Sequence, residues 1–152
     1  MILAGMALAL AAPAPQQAPA SAPPPQQAPA VLPFSEAIRV GDMLYLSGQL
    51  GLVPGTRSVA AGGIAAETRQ TMDNIGTTLS KYGLTHRDLV KCTVFLADMA
   101  DWGAFNTVYL TYFQPGKFPT RSALGANGLA LGARTEVECL AHFPAPRRSR
   151  KG

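Results

Sequence analysis

The chain has 152 residues, 47% of them hydrophobic, and a formal net charge of +4. That length holds one domain with a full core and leaves no room for two large ones. The excess charge is the ending Arg147-Arg148-Ser149-Arg150-Lys151, without which nine Lys and Arg balance nine Asp and Glu; a nucleic-acid binder carries its basic patch on the folded body, so a neutral body with a solvated tail argues against that class of partner.

Residues 1–30 stand outside the fold. Met1 to Ala12 is an apolar run, too short for a bilayer span of roughly twenty residues. With Ala9 and Ala11 in an A-x-A pattern it suits the core of an export signal, although the basic n-region is missing. A misplaced start codon explains the run as well, so both a cytoplasmic and a periplasmic location stay open. Ala11 to Ala30 is almost entirely Ala, Pro, Gln and Ser. Its prolines deny it ladder and helix hydrogen bonds, which predicts an extended, disordered spacer. The organisation expected is therefore residues 1–30 as leader and spacer, 31–143 as the domain, and 144–152 as a basic tail.

Within the domain, Phe34 to Val40 and Met43 to Ser47 are strand-like and flank Gly41-Asp42, which predicts a hairpin. Val53 to Gly63 is loop-like. Ile64, Thr68, Met72, Ile75, Leu79 and Tyr82 then recur at steps of four and three, placing them on one face of a helix that Gly83 ends. Glu67, Arg69, Gln70, Asp73 and Lys81 fall on the other side. Leu89 to Ala97 is rich in apolar and β-branched residues, the pattern of a buried central strand. Asp101 is placed to cap a second helix whose aromatic stripe, Trp102, Phe105, Tyr109, Tyr112 and Phe113, reads as core. Thr120 to Leu124 and Arg134 to Phe143 complete the strands. The order ββ(β)αβαββ predicts an α+β layer, a sheet with two helices packed on one face. The sheet's other face keeps apolar side chains, which predicts a homo-oligomer.

Cys92 and Cys139 are too few for a disulfide framework, and their apolar surroundings predict buried free thiols. His86 and His142 lie far apart with no cysteine near them, so no metal site is expected. Arg121 follows Phe118-Pro119-Thr120 at a strand start, where its planar fork can meet a carboxylate bidentately or close a structural ion pair. Glu136 and Glu138 share one face of the last strand by the period of two. If the strands pair in chain order, one of them approaches Arg121 and can orient or deprotonate a water. Ser47 lacks a nucleophile elbow and a histidine base, which argues against a nucleophilic serine.

These pieces, in this order, resemble the Rid (YjgF) family of reactive intermediate deaminases. The blocks that carry the resemblance are Gly41-Asp-Met-Leu-Tyr-Leu-Ser-Gly-Gln49, Glu67-Thr-Arg-Gln-Thr-Met-Asp-Asn-Ile75, Asp88 to Asp98, Phe105-Asn-Thr-Val-Tyr109, Phe118-Pro-Thr-Arg-Ser122 and Glu136-Val-Glu138. The resemblance implies a chorismate-mutase-like α+β fold and a homotrimer with ligand sites between subunits. It implies a cofactor-free hydrolase of the 2-iminobutanoate/2-iminopropanoate deaminase type, converting 2-imino acids or their enamines to 2-keto acids and ammonia. Arg121 would hold the substrate carboxylate and Glu136 would place the attacking water. A backbone group at Ala123 would assist, with Gly48 and Phe34 at the ligand. Phe34 stands where many members have tyrosine, and Ala123 where many have cysteine; the first change removes a hydroxyl from the site. A non-catalytic trimeric module that binds or senses small carboxylates is the alternative. The ribonuclease activity attached to the family has no electrostatic support in a neutral body.

Overall fold

The computed structural model describes residues 32–144, so the expectations for the leader and spacer and for the basic tail fall outside the described residues. Strands β1 (Ala37–Val40) and β2 (Met43–Leu46) form the predicted hairpin. Gly41 turns it at φ 59°, in the left-handed region that glycine enters without a Cβ penalty. A two-residue strand β3 (Gln49–Leu50) precedes helix α1 (Gly63–Ser80). Strand β4 (Leu89–Leu96), helix α2 (Trp102–Tyr109), strand β5 (Thr120–Gly125) and strand β6 (Thr135–His142) complete the order.

The sheet runs β1-β2-β6-β4-β5, with β3 also on β6. β4 and β5 are parallel because α2 carries the chain back between them, and the other pairs are antiparallel. Alternation along β6 sorts the faces. Thr135, Val137, Cys139 and Ala141 are buried, and the last three share one core with Met72, Ile75 and Leu79 of α1 and Phe105 and Tyr109 of α2. Glu136, Glu138, Leu140 and His142 point the other way. That outer face also carries Ile38, Val40, Tyr45 and Leu124, which are 56%, 60%, 48% and 43% exposed. Among the described residues no helix is long and apolar enough to cross a membrane.

Four local expectations are corrected. Cys92 and Cys139 are not free thiols but a disulfide, because β6 lies beside β4 and the two cysteines sit directly opposite, Cα atoms 4.1 Å apart. The intervening β5 hides that adjacency in the sequence. Glu67 is not on a solvent side but 2% exposed, covered by the backbone at Gly51 and at the start of β6. Asp101 does not cap α2. Asp98 instead accepts from Ala100 N at 2.8 Å, and Asp101 pairs with the Arg134 guanidinium through two hydrogen bonds of 2.9 Å. Trp102 leaves the core at 47% exposure, and α2 tightens after Tyr109 into a 3-10 turn over Leu110–Tyr112.

Candidate functional site

Arg121 is the second residue of β5, the edge strand, and stands opposite Cys92, so its side chain emerges on the helix side of the sheet. There it lies on an aromatic shelf. Its Cζ is 4.8 Å from the ring centre of Tyr109 and 5.8 Å from that of Phe105, and the two rings are stacked on each other. Guanidinium over a ring face is attractive and fixes the plane of the fork. No carboxylate pairs with it among the described residues, so the structural ion pair weighed for it is not formed. A shallow pocket of about 340 Å³ opens beside it, lined by Asn106, Tyr109, Leu110, Phe118, Pro119 and Arg121. Burial pushes the Tyr109 phenol up to about 12, against the opposing field of Arg121. The phenol is therefore neutral, and the shelf is an uncharged seat for a cation.

Glu136 occupies a different place. It is the second residue of β6, on the outer face, opposite Phe95 of β4 and Leu50 of β3. Its carboxylate rests directly on Gly48: a Cβ at that position would overlap the carboxylate oxygen and lie 2.9 Å from the carboxyl carbon. Any side chain at position 48 would have to push the Glu136 carboxylate out of this place. Burial raises the Glu136 carboxyl above the ordinary glutamate range, and the charge of Glu138 raises it further. Such a carboxylate is a better proton acceptor than an exposed one. Phe34 belongs to the same neighbourhood, since Ser47 N and Oγ donate to the carbonyls of Glu36 and Ser35, at 3.0 and 2.6 Å, and tie that segment beside Gly48. Phe34 itself is 55% exposed.

The candidates thus divide into two groups. Gly48, Glu136 and the Phe34 segment gather at one place; Arg121 and Ala123 share the helix side of the edge strand. The sequence-based expectation that Arg121 and a carboxylate of the last strand approach through strand pairing is corrected. β4 separates β5 from β6, and Arg121 and Glu136 face opposite sides of the sheet. Sequence reasoning also passed over Tyr109, which the aromatic stripe assigned to the core alone. Its spacing from Phe105, one helical turn, was the available signal; that both rings meet Arg121 depends on α2 packing over β5.

Residues 25–143 match the family described as Endoribonuclease L-PSP. The chain is 41% identical over 109 residues to a 2-iminobutanoate/2-iminopropanoate deaminase of Mus musculus, covering 72% of this chain and 80% of that protein. Among solved structures it resembles RidA from an Antarctic Psychrobacter, with 31% identity and a TM-score of 0.70 over 78% of this chain and 95% of that one. It resembles E. coli TdcF with bound serine equally well, at 30% identity and a TM-score of 0.70 over 78% and 95%.

Proposed function

The chain belongs to the Endoribonuclease L-PSP (Rid, YjgF) family, and from that premise we propose that it hydrolyses reactive 2-imino acids to 2-keto acids and ammonia. The observation that carries the reading is the Arg121 guanidinium, without a carboxylate partner among the described residues and lying over the Tyr109 and Phe105 rings beside a pocket. A fixed fork of that kind takes a carboxylate through two parallel hydrogen bonds. An imine carbon is already electrophilic, so hydrolysis asks for little more than anchoring and a placed water. Glu136 accepts a proton from that water as its oxygen adds to the C=N carbon. The same proton then reaches nitrogen; Glu136 next carries the hydroxyl proton of the carbinolamine to that nitrogen, and the C–N bond breaks to release ammonia as the C=O bond forms. One water is consumed, no electrons are exchanged, and no cofactor is required.

Arg121 and Glu136 lie on opposite faces of one chain's sheet, so this chemistry requires Arg121 of one subunit to meet Glu136 of another. The uncovered outer face supplies the surface for such an assembly, and the reading takes it to be a homotrimer of chorismate-mutase-like form with sites between subunits. Gly48, Phe34 and the backbone of Ala123 complete the cleft. Phe34 offers no hydroxyl to the ligand and so favours substrates with apolar side chains.

The test couples the protein to an amino-acid oxidase and follows semicarbazide trapping of the imine. Wild type is expected to suppress trapping and Arg121→Ala to lose that effect; equal protection by both sinks the reading. Mixing Arg121→Ala with Glu136→Gln subunits should restore part of the activity, because mixed assemblies contain one intact site. A site within a single subunit would give none. The bound serine in the TdcF structure favours a second reading, a module that holds small carboxylates without turnover. It predicts thermal stabilisation by 2-keto acids that depends on Arg121, with no ammonia released.

A further inference from the structure

We propose that Glu67 and Asn74, on one face of α1, are positioning residues that set the place of the Glu136 carboxylate. The inference rests on the reading of Glu136 as the group that acts on water. Glu67 is a carboxylate only 2% exposed, and no cation pairs with it among the described residues. A buried carboxylate is costly unless it accepts hydrogen bonds, and here it accepts two from backbone. Its Oε1 takes the N–H of Arg134 at 2.7 Å and of Thr135 at 3.1 Å. Those are the two residues immediately before Glu136, where β6 begins.

Asn74 holds the opposite wall. Its Nδ2 donates to the carbonyls of Leu50 at 2.9 Å and Leu52 at 3.0 Å. Leu50 is the β3 residue registered against Glu136, and Gly48, on which the carboxylate rests, lies two residues earlier. Gln70 donates to Asn74 Oδ1 at 2.9 Å and so fixes which end of the amide faces the strand. Residues 67, 70 and 74 follow the i, i+3, i+7 spacing of one helix face. Between the two clamps the chain presses onto the helix: a Cβ at Gly51 would come within 2.5 Å of both Glu67 Cγ and the Glu67 carbonyl oxygen. Both backbone segments that flank Glu136 are therefore hydrogen-bonded from a single helix. None of these groups reaches the pocket of Arg121, so carboxylate binding does not depend on them.

Four variants separate the possibilities: Glu67→Ala, Glu67→Gln, Asn74→Ala and, as reference, Glu136→Gln. Misplacing a reacting group by an ångström costs about 100-fold, so Glu67→Ala and Asn74→Ala should lower kcat about 10- to 100-fold. KM should stay within about twofold, since removal of a transition-state contact leaves ground-state binding alone. The acid limb of the pH–rate profile should move in both. Glu67→Gln keeps the Oε1 acceptor and should retain kcat within about threefold. Wild-type kcat and pH profile in Glu67→Ala and Asn74→Ala, beside an inactive Glu136→Gln, overturn the inference and leave the reading of Glu136 standing. Full activity in Glu136→Gln overturns that reading, and this inference with it. Should Glu67→Ala fail to fold by far-ultraviolet circular dichroism, Asn74→Ala decides the matter by the same readouts.

Discussion

The Arg121 end of β5 and the Glu136 end of β6 are built in opposite ways. Arg121 sits on an edge strand, lies over the rings of Tyr109 and Phe105 and lines an open pocket. Glu136 sits on an interior strand, with β3 and β4 on either side, Gly48 beneath its carboxylate and two helix side chains tethering its flanks. One group is presented and the other is seated. A carboxylate that must hold a water within hydrogen-bond reach gains from a seat fixed by backbone. A guanidinium that must receive a ligand gains from a planar support that leaves its donors free.

Filling the seat should have the largest effect. Gly48→Ala places a methyl where the Glu136 carboxylate oxygen lies, and is expected to cut imine hydrolysis about 10²- to 10³-fold, while binding of a 2-keto acid, measured by calorimetry, persists through Arg121. Loss of binding together with turnover would erase the distinction between the two regions. The next effect concerns the tie between their strands, because the Cys92–Cys139 disulfide joins β4, the neighbour of β5, to β6 across 47 residues of chain. Replacing both cysteines by alanine should lower stability by about 2–3 kcal/mol, read from urea denaturation with and without reductant. An unchanged midpoint would mean that the bond contributes nothing to the fold.

Smaller again is the support of the presented group. Tyr109→Leu removes the nearer ring from under Arg121, and a cation–π contact of about 1 kcal/mol corresponds to about a fivefold rise in KM with kcat little changed. Tyr109→Phe keeps the ring and deletes a hydroxyl that is buried without a hydrogen-bond partner among the described residues, so it should behave as wild type. A Phe variant as impaired as the Leu variant would assign the role to the hydroxyl instead.

The smallest effect is electrostatic. Burial, and then Glu138, raise the Glu136 carboxyl, so activity that needs the carboxylate should fade with acid at a pH above the ordinary glutamate range. Glu138→Gln should move that limb downward by a fraction of a unit, about what one half-screened neighbour supplies. Stability runs the other way. With the folded-state value raised, the contribution of Glu136 is complete below the ordinary value and is lost as pH rises through the raised one. Glu136→Gln should therefore melt slightly higher than wild type near neutral pH, as scanning calorimetry would show. A lower melting temperature there contradicts the assigned cause.

The sequence by itself determined the elements and their order. The period of two along β6, the steps of three and four along α1, and the Gly41-Asp42 turn are local patterns, and local backbone geometry obeys them. It also singled out the residues to which the proposed chemistry is assigned, since Arg121, Glu136 and Gly48 stand in recognisable blocks. Only the tertiary structure decided which strands are neighbours. Setting β6 between β2 and β4 paired Cys92 with Cys139, turned Arg121 and Glu136 to opposite faces, and buried Glu67 under residues remote in the chain. The periodicity of a strand says which residues share a face but not which strand lies beside it. That choice belongs to long-range packing, where burial and hydrogen bonding are settled between segments dozens of residues apart.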